Sequence, residues 1–225
     1  LSTITYAANN PTLYFKKNIM AGITLLEAMK MAHVKKIIYS SSGASYGEPK
    51  KNPIHEDDHK EPINTYGASK LGFEDALSSY YHSFGINSVS LRYFNVYGPN
   101  DEQVSTRSVP HWIKAAIEDK PLTLYWGGQQ KRDYVFVEDV ARANVIAAGE
   151  FNGFRVYNVG SGKGILMMDI IKKLEGIFDR KLKIKDAGTR LGDPSCAIAD
   201  VSRIKTELKW EPLVGLDEGL RRTIE

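Results

Sequence analysis

Val34-Lys35-Lys36-Ile37-Ile38-Tyr39-Ser40-Ser41-Ser42-Gly43 is the stretch that decides the fold class. Two lysines lead into a short apolar run that stops in three serines and a glycine, the profile of a buried strand ending in a polar turn. Before it, residues 11–32 repeat Phe15, Ile19, Ile23, Leu26 and Met29 at three- and four-residue spacing, one face of a helix. After it, residues 44–64 carry three prolines and several charges and read as loop. A second helix is expected over residues 65–84, stopped by Gly85. Ser88-Val89-Ser90-Leu91-Arg92-Tyr93-Phe94 is a second strand, closed by Asn95-Val96-Tyr97-Gly98-Pro99. Helix, strand, loop, helix, strand is the grammar of crossover units, so the class is α/β with a doubly wound parallel sheet.

Past Pro99 the texture changes. Helix (109–119), apolar Leu122-Thr123-Leu124-Tyr125, strand (132–137), helix (138–149), strand (154–159), helix (167–178) and strand (182–185) follow one another. Residues 190–199 read as loop, and 201–208 and 216–224 as closing helices. A boundary is expected near residue 100, between a doubly wound half (1–100) and a smaller mixed α/β region (101–225) with segments returning to the first half. The balance of 30 basic and 27 acidic residues, without a basic run, argues against nucleic acid or an anionic membrane as the main partner. Cys196 is the single cysteine, which excludes an intramolecular disulfide and disfavours a thiolate zinc site. No apolar run approaches the roughly 18 residues of a membrane span. With no signal-peptide pattern either, the expected compartment is the reducing cytoplasm.

The first chemical signal is Tyr66-Gly67-Ala68-Ser69-Lys70. Positions i and i+4 share a helix face, so phenol and ammonium can meet. A nearby cation favours phenolate and so lowers a tyrosine pKa from about 10 toward the range of a useful general base. Spacing alone also fits an exposed tyrosine beside a solvated lysine, and Tyr46-Gly47-Glu48-Pro49-Lys50 repeats it in what Gly47 and Pro49 make a turn. The second signal is Ser40-Ser41-Ser42, at the strand end where open α/β sheets place ligands.

Three segments carry a resemblance: Ser40-Ser41-Ser42-Gly43-Ala44-Ser45-Tyr46-Gly47-Glu48-Pro49, Tyr66-Gly67-Ala68-Ser69-Lys70, and Leu91-Arg92-Tyr93-Phe94-Asn95-Val96-Tyr97-Gly98-Pro99. Together they resemble the extended short-chain dehydrogenase/reductases. Within that family they are most similar to NAD-dependent nucleotide-sugar epimerases of the UDP-glucose 4-epimerase type. Arg132-Asp133-Tyr134-Val135-Phe136-Val137, Tyr157-Asn158-Val159-Gly160, Arg190-Leu191-Gly192-Asp193 and Trp210-Glu211-Pro212 follow in the family's order, so the resemblance spans essentially the whole chain.

The resemblance implies a Rossmann-like fold, NAD as cofactor and a UDP-sugar as substrate. It makes Tyr66 the catalytic base, Lys70 its partner and a nicotinamide-ribose ligand, and Ser42 the hydroxyl completing the proton path. It puts Asn18 near the NAD ribose, and Ser40 and Tyr93 in the cofactor site. Asn95 and Arg132 would hold the sugar-nucleotide diphosphate, with Arg190 and Asp193 on the ligand's far side. Ser108, Thr123 and Tyr125 would lie at or before the uracil. Guanidinium groups suit a diphosphate because they donate in pairs, with surface arginines in rim salt bridges as the alternative reading of both. Asn95 would serve as well in a turn after its strand, and Asn18 as a solvated helix residue. The implied reaction is transient oxidation of the sugar 4-hydroxyl, rotation of the 4-keto sugar and its reduction on the other face.

Departures from the pattern sharpen the expectation. The family's opening strand, Gly-rich phosphate turn and ribose-binding acid do not precede Leu1 here. Gly160-Ser161-Gly162-Lys163-Gly164 has Ile165 where that fingerprint needs its last glycine, and it falls too late in the chain. Roughly 80 family residues, with the central strands of the sheet, are therefore expected ahead of Leu1. Gly43 and Ala44 replace the Asp-Glu pair of the family's dehydratases, which disfavours dehydration. Ala197 stands at a pocket-gating position, where its small size leaves room for N-acetylhexosamines. Helices 11–32 and 65–84 match the family's intersubunit bundle, so a homodimer is expected. The alternatives are another UDP-sugar epimerase, such as a uronate epimerase, or a non-catalytic sugar-nucleotide binder.

Overall fold

The computed structural model describes residues 1–2, 4–101, 107–149, 151–189 and 192–225. A short helix, α1 (Ile4–Asn9), comes first. Next come α2 (Pro11–Phe15), with proline at its first turn, a π-helical turn (Lys16–Met20), and α3 (Ala21–Met31). The helix expected over 11–32 is thus one rod with a π turn inside it.

Strand β1 (Lys36–Ser42) follows and ends in a 3-10 turn (Gly43–Tyr46). The connection that comes next stays irregular up to α4 (Thr65–Phe84). Asn64 caps α4, its side chain accepting from Gly67 N at 2.8 Å, and Gly85 ends it in the left-handed region at φ 65°. Next are β2 (Asn87–Tyr93), β3 (Asn95–Tyr97), α5 (Ser108–Ile117), β4 (Leu122–Leu124), β5 (Lys131–Phe136), α6 (Val137–Ala147) and β6 (Phe154–Val159). The chain closes through β7 (Gly164–Leu166), α7 (Met167–Phe178), β8 (Ile184–Asp186), β9 (Cys196–Ala197), α8 (Ser202–Leu208) and α9 (Leu216–Ile224).

The main sheet is parallel, in the order β1-β2-β6. Its register sets Ser42 beside Tyr93, so both leave the sheet at the same C-terminal edge. On one face Leu26 and Met29 of α3 and Phe73 and Leu77 of α4 pack with Ile37, Tyr39 and Phe154. On the other, Val140, Ala143 and Ala147 of α6 cover Val89, Leu91 and Val159, with Ile204 and Trp210. A second sheet pairs β3 and β9 with β5 in parallel and β7 antiparallel to it, while β4 pairs β8. Trp112, Leu122, Leu124, Phe136, Ile170, Ile171 and Leu174 form its core.

Three short strands fall outside the sequence expectation. β3 lies in the segment expected to close the preceding strand and β9 in a stretch expected as loop, whereas β7 follows a Gly-rich run without period-2 alternation. Two or three residues are too few for a period to show, and β5, buried from its second residue to its last, supplies the hydrogen bonds that order them.

Candidate active site

The site forms where β1, β2 and β3 end and α4 begins. Gly67 makes the junction possible: a Cβ there would sit 2.2 Å from the Ala44 carbonyl oxygen, so only glycine lets α4 start against the turn after β1. That contact puts the Tyr66 phenol in hydrogen-bonding contact with Ser42, whose Oγ also accepts from Ala44 N at 3.1 Å. One turn along α4, Lys70 Nζ donates to the Ser40 carbonyl at 2.8 Å and lies 4.9 Å from the Tyr39 ring centre. Ser40 Oγ bonds Tyr93 Oη at 3.0 Å, and Tyr93 donates to Asn144 Oδ1 on α6 at 2.9 Å.

A cavity of about 430 Å³ collects Ser40, Ser42, Tyr66, Lys70, Tyr93, Asn95, Ser108, Arg132 and Asp193, nine of the thirteen positions that the sequence nominates. Ala197 lines it too. At the Arg132 end, Nη2 meets Asp193 Oδ1 at 2.7 Å and the Pro194 carbonyl, while Gln130 Nε2 holds Asp193 Oδ2 at 3.1 Å. Asn95 Nδ2 donates to the Asp133 carbonyl at 3.1 Å. Ser108 Oγ bonds Tyr134 Oη at 2.9 Å, and burial pushes that phenol up to about 12.

Three nominated residues do not line this cavity. Asn18 is buried and turns its amide to Ser69 Oγ at 2.9 Å, on the side of α4 away from the cavity. Thr123 lies in β4 with its amide on His111 Nε2 at 3.2 Å, and Tyr125 follows that strand. Arg190 lies outside the described residues.

The electrostatics differ from the expectation for Tyr66. Its pKa is raised, because burial penalises phenolate more than the Ser42 hydrogen bond and the charge of Arg107 favour it. Lys70 does not offset this: it lies 5.9 Å from the Tyr66 ring centre and spends a donor on Ser40. Burial also lowers Lys70 to about 8, against a smaller opposing pull from Glu74. Arg107 is the residue that sequence reading missed. It lines the cavity and pairs with Asp101 at 3.1 Å, but no motif surrounds it.

The donor set suits a dinucleotide's nicotinamide end. The Lys70 ammonium, with a single donor engaged, and the phenols of Tyr66 and Tyr93 face the same space, as a ribose diol and a carboxamide require.

A sequence profile of the NAD dependent epimerase/dehydratase family matches residues 1–160, and the chain belongs to that family. A UDP-glucose 4-epimerase of Corynebacterium glutamicum is 33% identical over 225 residues, covering 94% of this chain and 68% of that protein. The structure of a UDP-glucose 4-epimerase from Thermotoga maritima with UDP-glucose superposes with a TM-score of 0.94 at 33% identity, covering 99% of this chain and 72% of that one. A UDP-N-acetylglucosamine 4-epimerase from Methanobrevibacter ruminantium M1, in complex with UDP-N-acetylmuramic acid, gives 0.92 at 31% identity, over 100% and 73%. The α/β fold with its parallel Rossmann-like sheet is therefore the family's fold.

Proposed function

We propose that this chain carries the catalytic and sugar-nucleotide-binding residues of an NAD-dependent UDP-sugar 4-epimerase, with UDP-glucose and UDP-galactose as substrates. One observation carries the reading: Ser42, Tyr66 and Lys70 share a single cavity with Arg132 and Asp193, so proton chemistry and an anion-binding group lie within reach of one ligand. Relatives and structural neighbours of that activity support it.

NAD, when bound, supplies hydride acceptance and return at the sugar. The rest belongs to the protein. Tyr66, Lys70, Ser40 and Tyr93 hold the nicotinamide ribose and carboxamide. Tyr66, in its phenolate form and with Ser42 beside it to favour that form, takes the proton of the 4-hydroxyl and, as phenol, gives it back. Arg132 anchors the diphosphate while the sugar turns.

In this proposal residues 1–100 with β6 form the cofactor half, and most of 101–225 the sugar-nucleotide half. The exposed Met20, Leu25, Met31 and Phe84 on α3 and α4 or flanking them support a homodimer through those helices. The unpaired Cys196 suits the cytoplasm. Among the described residues no helix is long and apolar enough to cross a membrane.

Incubation with NAD and UDP-galactose, with UDP-glucose measured as product and UDP binding measured by calorimetry, tests the proposal. Turnover supports the epimerase. UDP binding without turnover, NAD being present, assigns a non-catalytic sugar-nucleotide binder instead.

A further inference from the structure

One wall of the cavity is a strap running from Gly192 to Ala197, and it supplies Asp193, Pro194 and Ala197 to the lining. The strap has little structure of its own beyond the two-residue β9 against β5. Side chains from elsewhere hold it. From β5 and the residue before it come Arg132 and Gln130, both on Asp193. The rest come from the long connection between β1 and α4. Glu48 accepts from Ser195 N at 3.0 Å and from Ser195 Oγ at 2.6 Å. Asn52 Oδ1 accepts from Ile198 N at 2.8 Å. Asn64 Nδ2 donates to the Gly192 carbonyl at 3.0 Å.

Asn64 differs from the others in what its second atom does. Its Oδ1 is the N-cap of α4, on Gly67 N at 2.8 Å. A single amide therefore joins the helix carrying Tyr66 and Lys70 to the strap carrying Asp193, without itself lining the cavity. Capping alone does not call for asparagine, because aspartate and serine cap as well. The carbonyl of Gly192 does call for it, because aspartate has no donor to offer.

We infer that Asn64 is a positioning residue for the sugar nucleotide: its amide nitrogen keeps the strap in fixed register with the catalytic helix, so that Asp193 and the wall at Ala197 stand where the ligand needs them. The inference rests on the functional reading above and deepens it.

The test compares Asn64→Asp and Asn64→Ser with the parent, reading UDP affinity by calorimetry, KM and kcat for UDP-galactose with NAD, and melting temperature. Aspartate keeps the cap and has no donor for the strap; serine keeps the cap too, but its hydroxyl, one bond shorter than the amide nitrogen, falls short of the Gly192 carbonyl, and it adds no charge. Loss of one neutral hydrogen bond predicts KM and the UDP dissociation constant about 5- to 10-fold higher in both variants. The cap predicts kcat within about twofold and a melting temperature close to the parent's. Unchanged UDP affinity and KM in both variants overturns the inference alone, as does a lower melting temperature with KM unmoved, which assigns Asn64 to the fold only. A parent protein that neither binds UDP nor turns over UDP-galactose removes the functional reading itself, before any variant is compared.

Discussion

The ammonium of Lys70 lies 2.8 Å from the carbonyl oxygen of Ser40, so helix α4 is tied to strand β1 through the residue that also faces the cavity. The tie has a cost that pH reveals. Burial lowers the folded-state pKa of Lys70 from the ordinary 10.5 to about 8, with Glu74 pulling the other way. Between those values the unfolded chain holds a proton that the folded protein has lost, so the Lys70 contribution to stability rises with pH across that window. Below about pH 8 the buried charge carries its full penalty. Lys70→Met is therefore expected to stand most stable relative to the parent near pH 7, with its advantage shrinking as pH climbs toward 10.5. Urea denaturation of both proteins at pH 7, 8, 9 and 10 measures the difference. A constant gap across the series would mean that Lys70 ionises as it does in solvent.

Tyr66 is held in the phenol form by burial, and the Ser42 hydrogen bond is the largest influence pulling it back. Removing the base leaves nothing at that position to take the proton. Tyr66→Phe is expected to lower kcat by about 10²- to 10⁴-fold and to leave UDP affinity near the parent's, because Arg132 and Asp193 are untouched. Ser42→Ala makes a subtler statement. Without that hydrogen bond the phenol becomes still harder to ionise, so the rising limb of the kcat–pH profile should move to higher pH. A profile that stays in place would show that Ser42 does not tune Tyr66.

What the sequence made legible follows from the range of the interactions involved. The parallel sheet, the helix carrying Tyr66 and Lys70, and the strand end at Ser42 each show a local period or stop signal, and the structure brings them together. Arg107 was invisible because a lone cation with no motif around it announces nothing until the fold carries it to the cavity. The raised pKa of Tyr66 was equally hidden: i,i+4 spacing says that Lys70 can approach, whereas burial and the competing Ser40 carbonyl decide what it does. The strap is the clearest case. Its order comes from Glu48, Asn52, Asn64, Gln130 and Arg132, residues separated by up to 147 positions from those they hold.

Ala197 contributes one methyl to the cavity wall. Replacing it with a large aromatic ring would fill space in a cavity of about 430 Å³, next to its cross-strand neighbour Arg132. The parent is expected to turn over UDP-N-acetylglucosamine as well as UDP-glucose, and Ala197→Tyr to keep the second and lose most of the first. Measured kcat/KM for both nucleotides in both proteins decides it. Parent activity confined to UDP-glucose would remove Ala197 as the determinant of sugar size.

Between α4 and β2, Arg92 and Glu74 form an ion pair of which each side chain is only 2% exposed. Arg92 gives Glu74 three hydrogen bonds, at 2.5, 3.0 and 3.2 Å, and also donates to Tyr46 Oη at 2.8 Å and to the Glu56 carbonyl at 3.1 Å. Ser41 Oγ adds a further hydrogen bond to the same carboxylate. The pair thus fastens α4, β1 and β2 at one point, one helical turn beyond Lys70. Desolvation opposes its charge and mutual attraction offsets that, so the intact pair adds little net stability while a broken one leaves a buried ion uncompensated. Arg92→Met is accordingly expected to cost about 3–5 kcal/mol, and Arg92→Met with Glu74→Leu to cost less than Arg92→Met alone. Denaturant unfolding of the two single variants and the double variant supplies the cycle. Additive losses would contradict this account, since two side chains in direct contact would then be contributing to the fold independently.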